Sequence, residues 1–307
     1  MKDMKIIKLI FCFIAAYFIA GCDNDYPLKK EQYEKFVYLT RAIDNELHQE
    51  YVNYAYDRDT VFVSVSVSGS QSAGKDVTVS FKEINENIDF YNALNLSASD
   101  IQYRHLPENV YEYPVPDVTI KSSEFIAVYP VYINPESLHC DSLYLLPISI
   151  ESVSDYEVRD NIDSVLLMKI IPVNNYTGDY YIDAFIYDLA EETSSSYQMY
   201  RTAVATNRNT IRIYHQEAEN KDHLQSHTIT LTFKEDNTVT FDTWNEFNLT
   251  GGSGTYLTEM KLVDFSYFFK NGDKEYEVKG FLYKRPVTEL EQEDIDDFIK
   301  KERDKDK

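Results

Sequence analysis

From residue 60 to residue 68 every second side chain faces the same way: Val61, Val63, Val65 and Val67 alternate with Phe62, Ser64, Ser66 and Ser68. A side-chain period of two places one apolar row on one face of a strand and excludes a helix, whose apolar stripe repeats every three to four residues. Residues 76–83 repeat the pattern, with Val77, Val79 and Phe81 against Thr78 and Ser80, beyond the turn residues Gly69 and Ser70. The two runs are expected to pair as neighbouring antiparallel strands. A short helix or irregular loop is expected over residues 88–96, and further strands over residues 117–121, 125–133, 142–152 and 164–171. Prolines 107, 114, 116, 130, 135, 147 and 172 fall at edges or connections. About seven short strands within residues 35–173 make an immunoglobulin-like β-sandwich the expected first domain.

The run Pro172-Val173-Asn174-Asn175-Tyr176-Thr177-Gly178 reads as a boundary. Beyond it, strands are expected over residues 180–189, 210–215, 228–233, 238–244, 257–270 and 275–283. Glu235-Asp236-Asn237 and Asn271-Gly272-Asp273 supply hairpin turns. By pattern alone, residues 174–286 suit an up-and-down barrel or a second sandwich. Thr288 and Glu291 form a capping box ahead of Ile295, Phe298 and Ile299, so residues 287–307 should hold a short helix and a charged tail.

At the other end, Lys2, Lys5 and Lys8 precede an apolar run from Leu9 to Ala20, closed by Ile19-Ala20-Gly21-Cys22. A basic start, a short apolar stretch and small residues before a cysteine are the layout of a lipoprotein signal over residues 1–21. The run is too short to span a bilayer, which takes roughly 20 helical residues. Acyl chains on Cys22 would therefore anchor the chain, through a polar tether over residues 22–34. Cys12 would leave with the signal, so Cys140 has no partner and no disulfide is expected. A partly buried, structural cysteine fits better than a reactive one, because His139 and Asp141 do not supply electropositive surroundings.

The 307 residues carry 52 acidic against 30 basic side chains, a formal −22, and the signal removes three lysines for one aspartate. So acidic a surface repels phosphate backbones, which excludes nucleic acid as a partner and leaves lipid to hold the chain at a membrane. Tyrosine is abundant, 26 residues against a single tryptophan. Its ring suits a pleated, half-buried surface and a sugar-contacting face alike.

No enzyme motif stands out. Glycoside hydrolysis needs two carboxylates about a scissile bond, and the densest acidic run, Glu293-Asp294-Ile295-Asp296-Asp297, lies on the solvated face of the expected terminal helix. Alternating strands and helices of a (β/α)₈ barrel are missing. His223 and His227, with His215 nearby, stand four apart beside a strand, where that spacing does not converge on one metal ion. Gly251-Gly252-Ser253-Gly254 has no following helix or lysine and reads as a flexible loop. Neither a Gly-x-Ser-x-Gly nor a Cys-x-x-Cys run occurs. Catalytic residues, metal and cofactor are all expected to be absent.

Several stretches carry a resemblance. Gly69-Ser70 with Asp76-Val77-Thr78-Val79, Phe90-Tyr91-Asn92, Tyr103, Leu106-Pro107, Tyr111 and Leu145-Leu146-Pro147-Ile148-Ser149-Ile150 are similar to the immunoglobulin-like N-terminal domain of lipoproteins from Bacteroidetes polysaccharide-utilisation loci. Asn175-Tyr176-Thr177-Gly178-Asp179-Tyr180 and the closing run from Tyr276 to Arg285 resemble the calycin-like β-barrel that often follows it. The resemblance covers about residues 35–286 and implies a glycan-handling lipoprotein of the outer membrane, facing the cell exterior. Asp23 and Asp25 resemble the acidic export signal of such surface proteins. Asp59-Thr60-Val61, Asp141-Ser142-Leu143 and Asp163-Ser164-Val165 resemble an O-glycosylation signal of exported Bacteroidetes proteins, which makes Thr60, Ser142 and Ser164 modification candidates. The preferred expectation is a non-catalytic protein binding polysaccharide or oligosaccharide through aromatic rings. Trp244, Phe247 and Tyr256 are expected to share one rim. The alternative is a structural or interaction protein, such as an adhesin or an accessory subunit of an outer-membrane transporter.

Overall fold

The alternating valines do form a strand, but its neighbours differ from those expected. The computed structural model describes residues 30–43, 46–159, 165–215, 222, 224–286 and 288–305. Its first domain contains β1 (Phe36–Leu39), β2 (Leu47–Asn53), β3 (Asp59–Val67), β4 (Val77–Glu83), helix α1 (Glu86–Asn95), β5 (Tyr103–His105), β6 (Tyr111–Glu112), β7 (Asp117–Ile120), β8 (Ile126–Ile133), β9 (Leu143–Val153), β10 (Glu157–Val158) and β11 (Val165–Val173). The strands form two facing sheets in the orders β10-β1-β3-β8-β6 and β2-β11-β9-β4-β7, with β5 added parallel to β9. This is a β-sandwich.

β3 pairs with β1 and β8, whereas β4 pairs with β7 and β9 in the opposite sheet. The expected side-by-side pairing is therefore corrected. Val61, Val63 and Val65 on one sheet and Val77 and Val79 on the other belong to one core, each at most 2% exposed. Facing sheets bury both rows against each other, which neighbouring strands of one sheet cannot do. Gly69 and Ser70 consequently do not close a tight hairpin. Glu31 holds their loop instead, accepting from the backbone N–H of Ser70 (2.7 Å) and Gln71 (3.1 Å).

The second domain runs β12 (Gly178–Asp188), β13 (Thr193–Ala205), β14 (Thr210–Tyr214), β15 (Thr228–Phe233), β16 (Thr238–Thr243), β17 (Leu249–Leu257), β18 (Leu262–Asn271) and β19 (Lys274–Lys284). Each strand is antiparallel to the next, and β12 pairs with β19 to close an eight-stranded barrel. Closure removes the exposed edges that a second sandwich would retain. Rings fill the interior: Tyr197, Phe241, Phe247, Tyr267 and Phe269 lie in its buried core. Asn237 (φ 66°) and Gly272 (φ 62°) occupy the left-handed positions of the two anticipated turns.

Two barrel strands depart from expectation. β13 was not anticipated, because Thr193 to Ser196 are all exposed and polar and show no alternation. Residues 251–254 belong to β17 and are not a loop. A Cβ at Gly252 would stand 2.5 Å from the Tyr267 Cβ and 2.9 Å from that of Phe241, so glycine is what lets β17 lie against its neighbours.

Helix α2 (Glu289–Lys305) packs Ile295 and Ile299 on Leu262, Phe281 and Tyr283 of the outer barrel wall. The capping box forms in both directions: Thr288 N–H donates to Glu291 Oε2 (3.1 Å), and Glu291 N–H donates to Thr288 Oγ1 (3.2 Å). Among the described residues, no helix is long and apolar enough to cross a membrane.

The barrel docks on one end of the sandwich. Arg208 Nη2 pairs with Asp57 (2.6 Å), its Nε donates to Tyr54 O (3.1 Å), and Arg212 Nη2 pairs with Asp141 (2.6 Å). The chain enters at the opposite end, where Ser68 Oγ donates to Glu34 O (3.1 Å). β3 spans this separation, roughly 30 Å at about 3.3 Å per strand residue.

Candidate functional site

Strand β12 has a double character. Tyr180, Ile182, Ala184 and Ile186 point into the barrel, and Tyr181, Asp183, Phe185 and Tyr187 point outward. Neighbouring β13 adds Tyr200 to the outer wall and β19 adds Tyr283. Gly280 makes the close approach of β19 to β12 feasible, because a Cβ there would overlap Ala184. Helix α2 covers part of this wall and leaves a groove of about 340 Å³ along it, lined by Tyr181, Tyr200, Tyr283, Arg285, Pro286 and Gln292.

The three rings stand at angles. Tyr181 lies 5.0 Å from Tyr200 at 62° and 5.6 Å from Tyr283 at 53°, between ring centroids. Tyr200 is 65% exposed and offers a bare face, with the Arg285 guanidinium 6.0 Å from its centre. Burial raises the phenols of Tyr181 and Tyr283 above the ordinary tyrosine value, helped by the negative charge of Asp183. Both stay protonated at neutral pH. The Gln292 amide bonds Tyr283 and also donates to Asp296 Oδ1 (2.8 Å), which fixes its orientation.

A second groove, of about 390 Å³, lies further along the same wall between Phe185, Tyr187 and Arg303. An ion pair separates the two: Arg303 Nη2 meets Asp183 at 2.7 Å, Gln198 Nε2 donates to the same carboxylate at 2.7 Å, and the guanidinium lies over Phe185 at 5.4 Å. Asp183 is thereby engaged as a strut. Hydrogen bonds and neighbouring lysines hold the carboxyls of Glu31, Asp76, Asp155, Asp188 and Asp236 below the ordinary carboxylate range, the opposite of what a general acid needs.

The expected trio does not meet. Trp244 is half-buried where the domains join, with the Arg212 guanidinium 4.9 Å from its ring and His139 at 6.4 Å. Phe247 is buried in the barrel against His215 (4.6 Å) and Phe269 (5.5 Å). Tyr256 sits at the other end of the barrel against Phe233 (5.1 Å) and Tyr176 (5.5 Å). The antiparallel register explains the separation: Thr238 pairs with Thr255, so Tyr256 lies beside the start of β16 while Trp244 follows its end.

Other sequence candidates resolve as follows. Cys22, Ser164 and His223 lie outside the described residues. Thr60 faces outward beside Tyr132, and Ser142 accepts a hydrogen bond from Arg104. His215 is buried and bonded to the Tyr267 hydroxyl (2.6 Å), and His227 is bonded to Ser226. His139, Cys140 and Asp141 offer atoms within 4.8 Å of one another. A cation already occupies that corner, because Arg212 Nη1 reaches Asp141 (2.8 Å) and Cys140 Sγ (3.6 Å). Burial outweighs that charge and pushes the Cys140 thiol up to about 11, which suits a structural cysteine.

Sequence reading missed Tyr181, Tyr200, Tyr283, Arg285 and Gln292. The available signal was the doublet Tyr180-Tyr181 within a strand, where one ring must face inward and the other outward.

Comparison with known proteins bears on both domains. Family models match residues 32–157, described as an N-terminal domain, and residues 164–283, described as a C-terminal domain. Together the two matches span most of the chain, one on each domain. One solved structure, a Bacteroides ovatus protein of unknown function, is 21% identical with a TM-score of 0.62 over 80% of this chain and 93% of its own. A second B. ovatus structure, a multidomain protein including DUF1735, is 21% identical with a TM-score of 0.60, over 82% and 94%. A Bacteroides thetaiotaomicron structure described as an auxiliary nutrient binding protein is 18% identical with a TM-score of 0.56, over 77% and 89%. At these identities the likeness is one of fold. No curated protein matches the chain in sequence.

Proposed function

We propose that this chain is a non-catalytic lipoprotein of the outer membrane, anchored through Cys22 and facing the cell exterior, which captures glycan for a polysaccharide-utilisation system. The observation that carries the reading is the tyrosine groove. Sugar rings present C–H faces that stack on aromatic rings and hydroxyls that need directed polar partners. Tyr200 offers the face, and the phenols of Tyr181 and Tyr283, the Gln292 amide and the Arg285 guanidinium offer the partners. A rigid strand wall and the capped helix hold them, so little ordering would be needed on binding. The auxiliary nutrient binding protein of similar fold agrees with this reading.

Affinity electrophoresis of residues 23–307 through gels cast with plant, host and microbial polysaccharides tests it. Retardation by at least one glycan is expected, lost in Tyr200→Ala and retained in Trp244→Ala. A chain that no polysaccharide retards would instead favour an accessory subunit of an outer-membrane transporter.

A further inference from the structure

Among the described residues, the outward face of the sheet β10-β1-β3-β8-β6 is uncharged over its central strands and exposes large apolar side chains, with Ser66 covered by Thr40. β1 contributes Phe36 and Tyr38, β3 contributes Thr60, Phe62, Ser64 and Ser66, and β8 contributes Ile126, Val128, Pro130 and Tyr132. Phe62 is 50% exposed, Ile126 45%, Val128 51% and the preceding Phe125 48%. Register places these groups side by side, with Phe62 opposite Pro130, Ser64 opposite Val128 and Ser66 opposite Ile126. In a chain of net charge −22 such a face is a local exception, and contiguous exposed apolar surface marks a contact site. Arg58, paired with Glu112 at 3.7 Å and lying 5.0 Å from the Tyr132 ring, stands at the end nearest the barrel.

The incoming chain borders the other end. Phe36 N–H donates to Ser68 Oγ (2.7 Å) and Val67 N–H donates to Phe125 O (2.9 Å), so the first strand begins at the same end of the sheet as Phe125 and Ile126, across β3. Lys30 lies eight steps along the chain from Cys22, a reach of at most roughly 29 Å at about 3.6 Å each. An acylated Cys22 therefore keeps this end of the sandwich within one short tether of the bilayer.

We infer that the face around Phe62, Ile126 and Val128 rests on the membrane surface that holds the Cys22 lipid, as a second contact that orients the anchored chain. The inference rests on the lipoprotein reading above. An apolar patch with tyrosines at its margin matches an interface whose apolar boundary lies under a polar headgroup layer, where amphipathic rings concentrate. A neutral face also avoids the repulsion that the rest of this acidic surface would meet at anionic headgroups. A second copy of the acylated chain, without the three lysines and one aspartate of the signal, would bring another −24 beside the first.

The test uses the full chain, acylated at Cys22 and reconstituted in phosphatidylcholine liposomes with or without brominated acyl chains. Trp244→Phe removes the only tryptophan, and Phe62→Trp then installs a probe on the face. Brominated lipid should remove about half of its emission, whereas Leu189→Trp, on the barrel, should keep its own. An unquenched probe at position 62 in acylated protein overturns the membrane contact and leaves the anchor intact. A mass spectrum without acyl chains overturns the lipoprotein reading itself and the contact with it. Sedimentation of residues 23–307 supplies the remaining outcome: a dimer dispersed by Val128→Glu would assign the face to a second copy and overturn the proposal. Circular dichroism of each variant keeps misfolding distinct from these results.

Discussion

The sandwich buries small branched side chains between two sheets, whereas the barrel buries rings inside one closed sheet. Val37, Val61, Val63, Val65, Val77 and Val79 lead the first core, and Tyr180, Phe241, Tyr267 and Phe269 lead the second. A ring fills more of a barrel lumen than a valine can, and rings line much of this one. The grooves proposed to bind lie on its outer wall, defined by α2 and β12. The sandwich keeps open sheets, and the contact proposed for it uses a sheet face. In each domain the proposed surface is what its mode of burial leaves outside.

Removing one ring tests this contrast most severely. Tyr267→Ala deletes a fully buried ring bonded to His215, and should cost about 3–5 kcal/mol by denaturant midpoint. Val63→Ala in the sandwich should cost less, about 1–2 kcal/mol on the scale of roughly 0.8 kcal/mol per buried methylene plus a cavity contribution. An equal or larger loss for the valine would break the comparison. Next comes the join between the domains. Arg212→Ala leaves Asp141 without its partner at a nearly buried site, an expected loss of about 3 kcal/mol, and a double-mutant cycle with Asp141→Ala should return coupling of at least about 1 kcal/mol. Additive losses would mean that the domains are held mainly by other contacts.

Tyr200→Ala sharpens the functional side of the comparison. Being 65% exposed, the ring adds little to stability, yet its loss should weaken glycan binding about tenfold, or 1.4 kcal/mol. Thr288→Ala should cost about 1 kcal/mol by breaking the capping box, with a smaller effect on binding through the looser helix edge. The smallest effect concerns Cys140. Its thiol is raised from 9.0 to about 11, so its stabilising contribution is intact below pH 9 and lost as the pH rises through 11. At pH 8 alkylation of the folded chain should be slow compared with the unfolded one, and equal rates would refute the burial argument.

The alternation over residues 60–68 and 76–83, the turns at Asn237 and Gly272 and the Thr288–Glu291 cap are all legible in the sequence. Each is local: a strand period, a left-handed turn residue and a reciprocal cap depend on residues a few positions apart. β13 escaped because its first four residues face solvent and carry no pattern, and the Gly251–Gly254 run escaped because glycine in a strand looks like a loop until the neighbouring rings are in place. Trp244, Phe247 and Tyr256 are close in sequence, but antiparallel pairing carries them to different places. Tyr181, Tyr200 and Tyr283 are far apart in sequence and become neighbours only when β12 closes on β19.

By itself, then, the sequence determined that this is an all-β chain, with its turns and its terminal helix, because those features follow from side-chain period and local backbone preference. Which sheet receives each valine row, which rings meet across a closed barrel and which face is left bare were decided by the tertiary structure. Burying two apolar faces at once, and joining first strand to last, are constraints between residues that no local pattern records.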